Sequence, residues 1–225
     1  FIFKKINMEE EDNLNVRKST QENIIVPRGG GTGLLITFVL LILTVVSIVI
    51  AAAIEIFPLI ALGVVCFILF FINNFGFFTI EPNEAFVLTY YGKYVGTVKE
   101  NGFFWINPFT SKTRISLKSK NLNGAQIKVS DKDGNPIEIA VVVVWKIKDT
   151  AKATFDVENY EEYITVNSES AIRHVASSYP YDNHGDDEPK LRGQHPDVMK
   201  TLITELENKT RDAGISIEDA KITHL

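Results

Sequence analysis

The sequence predicts an α+β protein: an N-terminal two-helix transmembrane hairpin, then an antiparallel-rich sheet packed with helices. Three observations carry this reading. Residues 34 to 78 are almost free of charge, the chain from Thr79 to about Lys148 alternates with a period near two, and from Asp149 the period changes to about 3.6. Strands gathered in one run and helices in the next indicate an α+β arrangement and not a doubly wound sheet.

The apolar stretch comes first. Leu34 to Ile54 (LLITFVLLILTVVSIVIAAAI) has no charged residue and matches the roughly 20 positions needed to span a hydrocarbon core. Glu55 and Pro58 interrupt a second run, Ile56 to Ile72, whose length of about 17 sits at the lower limit for a crossing. Asn73 and Asn74 end the apolar core, and Phe75, Phe77 and Phe78 around Gly76 suit the headgroup level. Helices apolar on all sides require lipid or the interior of a very large protein.

Two crossings return both flanks to one side, whereas a single crossing would put the large domain outside. Lys4, Lys5, Arg17, Lys18 and Arg28 precede the hairpin, Lys93 and Lys99 follow it, and the turn has neither Lys nor Arg. Positive charge therefore places the large domain in the cytoplasm, as part of an integral protein of the inner membrane, and the acidic run Glu9 to Asp12 contributes little to orientation.

Residues 1 to 33 read as a flexible polar tail ending in Pro27-Arg28-Gly29-Gly30-Gly31-Thr32-Gly33. That glycine cluster is a linker: no strand precedes it, and no Lys-Ser/Thr follows to make a phosphate loop. Residues 1 to 7 are too short for a signal peptide's apolar region. The chain stops at His224-Leu225 straight after a strand, which reads as a fragment of something longer. A formal charge of −5 without a basic, aromatic-laced stripe argues against a nucleic-acid partner. Cys66, the one cysteine, lies in the second apolar run and reads as a small packed residue; no disulfide or cysteine metal site follows.

The block 79–225 is long enough for one domain. After the Pro82-Asn83 turn, Ala85 to Tyr91 is a strand. Gly92-Lys93 reverses the chain into Tyr94 to Lys99, and Asn101-Gly102 suits a two-residue hairpin into Phe103 to Ile106, giving a meander. Pro108 breaks it before strands at Thr113 to Lys118 and Gln126 to Ser130. Asp131-Lys132-Asp133-Gly134-Asn135 lacks the position-six Gly and position-twelve Glu of a calcium loop, so it reads as a hairpin turn. Pro136 to Lys148 (PIEIAVVVVWKIK) is the most β-branched strand and central to the sheet. Thr150 to Phe155 is a short helix. Tyr160, Tyr163, Ile164, Asn167, Ala171, Ile172 and Val175 form one face of a helix from Asn159 to Ser177 that packs on the sheet. Residues 179–192 form a loop. Pro196 and Gly214 bracket a last helix with Val198, Leu202, Leu206, Thr210 and Ala213 inside, before a strand over Ile215 to Leu225.

No catalytic constellation emerges, and no catalytic, cofactor-binding or metal residue is assigned. His174, His184, His195 and His224 include no i, i+4 pair. His184 with Asp182, Asp186, Asp187 and Glu188 could collect a divalent cation in a metal-dependent enzyme, but these residues lack alternating ligand positions and read as a solvated loop. Ser177 shares a helix face with His174, yet no acid is placed to orient the imidazole.

Several motifs occur in order: Glu81-Pro82-Asn83-Glu84, Tyr91-Gly92-Lys93-Tyr94, Gly96-Thr97, Gly102-Phe103-Phe104 and Asn107-Pro108-Phe109. They continue with Asp133-Gly134-Asn135-Pro136-Ile137, Val143-Val144-Trp145, Phe155-Asp156-Val157, Glu169-Ser170-Ala171-Ile172-Arg173, Tyr179-Pro180-Tyr181-Asp182 and Ala220-Lys221-Ile222-Thr223-His224-Leu225. From about Phe78 onward the chain resembles the SPFH or Band 7 domain of stomatins, prohibitins and flotillins. It departs at the membrane element, where many relatives have one span or a re-entrant loop, and in lacking the long oligomerising helix that normally follows. The resemblance implies a non-enzymatic scaffold that forms large homo-oligomers in the membrane and organises microdomains or confines membrane proteins, or a regulatory subunit of a membrane protease.

Overall fold

A computed structural model describes residues 21–54, 57–182, 189–193 and 195–224. The described chain is an α+β protein with antiparallel sheets and separate helices. It divides into two units, one of residues 23–116 and one of residues 117–225 with Glu22.

The first unit contains β1 (Arg28–Gly29), α1 (Gly30–Ile54), α2 (Phe57–Asn74), β2 (Phe77–Ile80), β3 (Glu84–Tyr90), β4 (Lys93–Val98), β5 (Gly102–Trp105) and β6 (Thr110–Ser116). They form two three-stranded antiparallel sheets, β1-β5-β2 and β4-β3-β6. Ile80, Leu88, Val98 and Phe104 make the core, with Phe78, Phe86 and Ile106 against it. The expected meander is therefore corrected: β5 leaves β4 at Asn101-Gly102 and pairs with β2. Gly102 is not a turn residue but the first of β5, at φ 150°. Phe77 and Phe78 belong to strand β2.

The glycine linker is also corrected. Gly30 to Gly33 form the first turn of α1, because a Cβ on Gly30 would run into the Phe103 ring and one on Gly33 would lie 2.6 Å from Trp105 Cγ. Nor does the tail stay free up to residue 33. Ile25 N donates to Thr97 O (2.9 Å) and Thr97 N to Asn23 O (2.8 Å), so this segment covers the edge of β4. Positions 1–20 of the tail, and Glu55 with Ile56 in the expected turn, lie outside the described residues.

α1 has 25 residues and is long and apolar enough to cross a membrane, while α2, with 18 residues, is apolar but shorter. They run antiparallel: Gly63 faces Ser47, and Asn73 Nδ2 donates to Thr37 Oγ1 at 2.7 Å. Their seam is small and polar. Gly33, Thr44, Ser47 and Ala51 of α1 and Gly63, Cys66 and Asn73 of α2 are buried, at spacings that keep them on one face. Leu35, Phe38, Val39, Ile42, Val49, Leu62, Ile68 and Phe71 point outward and are exposed. Thr44 returns its hydroxyl proton to Leu40 O and Ser47 to Thr44 O, so the seam's hydroxyls are satisfied within the helix.

The second unit contains β7 (Lys120–Asn123), β8 (Ile127–Ser130), β9 (Pro136–Ile147), α3 (Thr150–Phe155), α4 (Tyr160–Ser178), α5 (Pro196–Thr210), a 3-10 turn (Arg211–Ala213) and β10 (Ile215–His224). β9 is central, pairing antiparallel with β10, β7 and β8, as its run of β-branched residues predicts. Helices α3 to α5 match the 3.6-residue pattern closely. Asp149 Oδ1 accepts from Lys152 N to cap α3, where Glu22 Oε1 also accepts from Thr150 N and Oγ1. Asn159 caps α4, and Ile164, Ala171, Ile172 and Val175 are buried; Ser168 joins them, while Tyr160, Tyr163 and Asn167 are half-buried. All five expected stripe residues of α5 and the 3-10 turn are buried. Gly214 ends it at φ 69°, with its carbonyl accepting from Lys148 N and Asp149 N.

The β8–β9 turn shows why Asp131 recurs in a turn and not a calcium site. Its buried carboxylate accepts from Asp133 N, Asn135 N, Asn135 Nδ2 and Tyr181 N, leaving no oxygen open to a cation. The Asn135 side chain, then these backbone donors, hold its pKa below the usual carboxylate range.

Two measurements check this core. Leu206→Ala empties a fully buried site and is expected to cost about 2–5 kcal/mol in denaturant unfolding, against under about 0.5 kcal/mol for exposed Val166→Ala. Because the folded Asp131 carboxyl has a lowered pKa, its stabilisation is complete above the unfolded value near 3.9 and is lost as pH falls below it toward the folded one. The stability gap between the wild type and Asp131→Asn should therefore be widest above about pH 4 and close in acid.

Candidate membrane interface

The ends of α1 and α2 converge on the β1-β5-β2 sheet. α1 grows directly out of β1, and α2 enters β2 after the two residues Phe75 and Gly76. Trp105 on β5 is the seat. Its indole lies against Gly33 and Gly76, where a Cβ would come within 2.6 Å of it at either glycine, and its Nε1 donates to Asn73 O at 3.2 Å. Asn73 O also accepts from Gly76 N at 3.1 Å, so this carbonyl at the helix C-terminus takes two donors.

The carbonyl of Phe75, just past the helix end, is met from β6. Lys112 Nζ donates to Phe75 O at 2.9 Å and stands 5.1 Å from the Phe78 ring centroid. Its ammonium complements the negative end of α2, and burial pushes its pKa down. Around these lie stacked rings: Phe77 on Phe103 at 5.4 Å, and Phe78 edge-on to Phe86 at 5.5 Å.

An exposed aromatic rim continues from this seat. β2 leads away from the helix end and β3 follows the Pro82-Asn83 turn; Lys112, opposite Leu88, reaches Phe75 O with its ammonium. Tyr90 and Thr110 pair two residues farther along the ladder, about 7 Å on. There Tyr91 is 80% exposed and Phe109 58%, with Phe75 exposed beside α2. Tyr91 and Gly92 both have positive φ, the geometry of a two-residue hairpin, at a strain cost for Tyr91 of about 1–2 kcal/mol. Away from the helices, Arg114 bridges Glu81 and the buried Glu84, which fixes the Glu81-Pro82-Asn83-Glu84 motif as a structural clasp.

The unit thus carries exposed aromatic side chains together with two apolar helices. Ser177 Oγ donates to the backbone carbonyl of His174, not to its imidazole. Asp182 is ion-paired with Arg192 at 2.7 Å and Lys190 at 3.4 Å; His184, Asp186, Asp187 and Glu188 lie outside the described residues. Among the described residues no group of three His, Cys, Asp or Glu side chains is placed to hold a metal. Sequence reasoning missed the seat itself: β1 and β2 were not foreseen. The one available signal was the run of small residues from Gly29 to Gly33 matched by Gly76.

No individually curated protein sequence matches the chain. A family model does, over residues 78–225, and it is the one described as SPFH domain / Band 7 family. That match takes in both halves of the described domain, from the second residue of β2 to the end of β10, and with it the chain belongs to the SPFH/Band 7 family.

Proposed function

We propose that this chain is a non-enzymatic, membrane-anchored scaffold. In this reading α1 and α2 form a transmembrane hairpin in the inner membrane, the aromatic rim rests in the headgroup layer, and the domain faces the cytoplasm. Copies held in one plane assemble into large homo-oligomers that organise the membrane or confine its proteins.

The observation that carries the proposal is the inverted pattern of the helix pair. Small and polar residues are inside, and large aliphatic and aromatic residues outside. In water each exposed Leu, Ile or Phe forgoes about 1.5–3 kcal/mol of burial, so this arrangement favours lipid over water as the solvent. Length supports it. α2 measures about 27 Å at 1.5 Å per residue, and α1, once its first turn is spent on the Trp105 seat, retains about 31 Å over Leu34–Ile54. Both are near the roughly 30 Å of a hydrocarbon core. The cytoplasmic side follows from the flanking Lys and Arg residues. Membership of the SPFH/Band 7 family, whose proteins are membrane-associated, supports the scaffold reading.

Membranes carrying the chain should retain it through alkaline carbonate washing; release into the supernatant would refute the anchor. With Trp145→Phe leaving Trp105 as the one tryptophan, fluorescence in vesicles should be quenched most by lipids brominated near the headgroups. Quenching greatest from the chain ends, or none, would remove the rim from the interface.

A further inference from the structure

β3 holds one edge of β4, and the other is taken by residues 23–25, which run parallel to it. Two backbone bonds fix the pairing, Ile25 N to Thr97 O at 2.9 Å and Thr97 N to Asn23 O at 2.8 Å. Around them the β4 side is shaped to its occupant. Gly96 leaves a notch, since a Cβ there would lie 2.8 Å from Ile25 Cγ2 and 2.9 Å from Asn23 O. Ile25 packs on the core cluster that contains Leu88 and Val98. Tyr94 Oη, held 2.8 Å from Thr97 Oγ1, accepts from Asn23 N at 3.2 Å, and Asn23 Nδ2 donates to Val95 O at 3.2 Å. Ile24 and Val26, on either side of the anchor, are 60% and 65% exposed.

We infer that the edge of β4 is a peptide-acceptor groove, closed by residues 23–25 as a removable strap and open to an extended segment of a partner protein that carries an amide residue and, two positions on, a branched aliphatic one. This is strand addition, in which backbone bonds supply affinity and pockets for alternate side chains supply selection. The strap displays the chemistry that the groove takes: one amide, one aliphatic anchor, and outward positions that the groove does not read. Its own hold is slight, because the residues flanking the anchor stay mostly exposed and only two backbone bonds tie it to β4. Segments with so few buried contacts open far below the free energy of global unfolding.

An edge strand also needs guarding against other sheets. Charge or a bulge does that without reading a side chain, whereas Gly96 and Tyr94 are fitted to particular groups of the strap. A second copy is a poor occupant. Only Val26 and Pro27 separate Ile25 from Arg28, which β5 holds, so the strap of one copy reaches about 10 Å from its own β1. A partner's segment has no such tether. The groove lies within the first unit, and the inference does not rest on the scaffold reading.

The test uses the full chain in maltoside micelles. Hydrogen exchange needs no substitution: the Thr97 amide, bonded to the strap, should exchange at least about tenfold faster than the amides of the central strand β3. A labelled peptide, Gly-Ser-Asn-Ile-Ile-Val-Ser-Gly, then probes the groove by fluorescence anisotropy. Saturable binding is expected to Ile25→Ser, which lifts the strap, and binding at least about tenfold weaker to the wild type, where the tethered strap competes. Adding Gly96→Ala to Ile25→Ser fills the notch and should abolish binding; Gly96 has no positive φ, so its backbone accepts alanine. A peptide with Ser in place of its second Ile should not bind. Equal melting temperatures for Ile25→Ser with and without Gly96→Ala establish that the loss is not unfolding. Four outcomes would overturn the inference: Thr97 exchange as slow as that of β3, no peptide binding by a folded Ile25→Ser chain, undiminished binding after Gly96→Ala, or Ile25→Ser chains that pair with one another in light scattering and leave the peptide free.

Discussion

The first unit depends on one indole. Trp105 fills the space that Gly33 and Gly76 leave empty and hydrogen-bonds the end of α2, so one side chain fixes where α1 begins and where α2 ends. A helix pair without such a seat could slide along its seam, because the small residues of that seam repeat every three or four positions and nearly superimpose after one turn. The bond from Asn73 to Thr37 and the indole contact together select a single register. Glycine is required at both contact points for space, and at neither for backbone conformation, since neither has a positive φ.

From that seat the polarity of the whole unit follows. The helices leave on one side with their apolar surfaces outward, and strands β3 and β6 carry Tyr90, Tyr91 and Phe109 toward that same side. Strain at Tyr91 has no counterpart in the unit's core, where Leu88 and Val98 pack in ordinary extended backbone. The two-residue hairpin at Tyr91-Gly92 sets that backbone, and it leaves the ring exposed. Tyr is also the side chain suited to a boundary, with an apolar ring and a polar tip.

Much of the second unit was legible in the sequence because its elements declare themselves locally. α3 begins and ends where Asp149 and the spacing predict, and Val198, Leu202, Leu206, Thr210 and Ala213 are all buried. The first unit was harder. Asn101-Gly102 carries a strong hairpin signal, yet β5 pairs with β2, since turn chemistry says that a chain bends and not which edge is free to receive it. β1 is two residues long and β7 four, too short for any period to register. The glycines at 30 and 33 read as a linker because their reason is the ring on the other side of the contact, some seventy positions away. Of the candidate interface, the apolar helices and their flanking phenylalanines were visible; the seat and the rim were not, being products of strand pairing.

The scaffold reading makes one demand on the second unit: its sheet must not join other sheets through its edge. β10 is an edge strand, and two register breaks against β9, between Ile217 and Asp219 and between Ile222 and His224, bend it. Glu218, Asp219 and Lys221 add charge along it, and Glu218 is drawn off to Lys146 and Ser119, which hold its pKa low. Bulges and charges of this kind blunt strand addition. Contacts between neighbours would then fall to side-chain surfaces, which are weak in dilute solution. In that reading, confinement by α1 and α2 to one plane would raise the effective concentration of those surfaces by orders of magnitude, and so let weak contacts suffice. In the scaffold reading the anchor and the guarded edge are complementary: one would make association possible in the membrane, and the other would keep it from becoming aggregation.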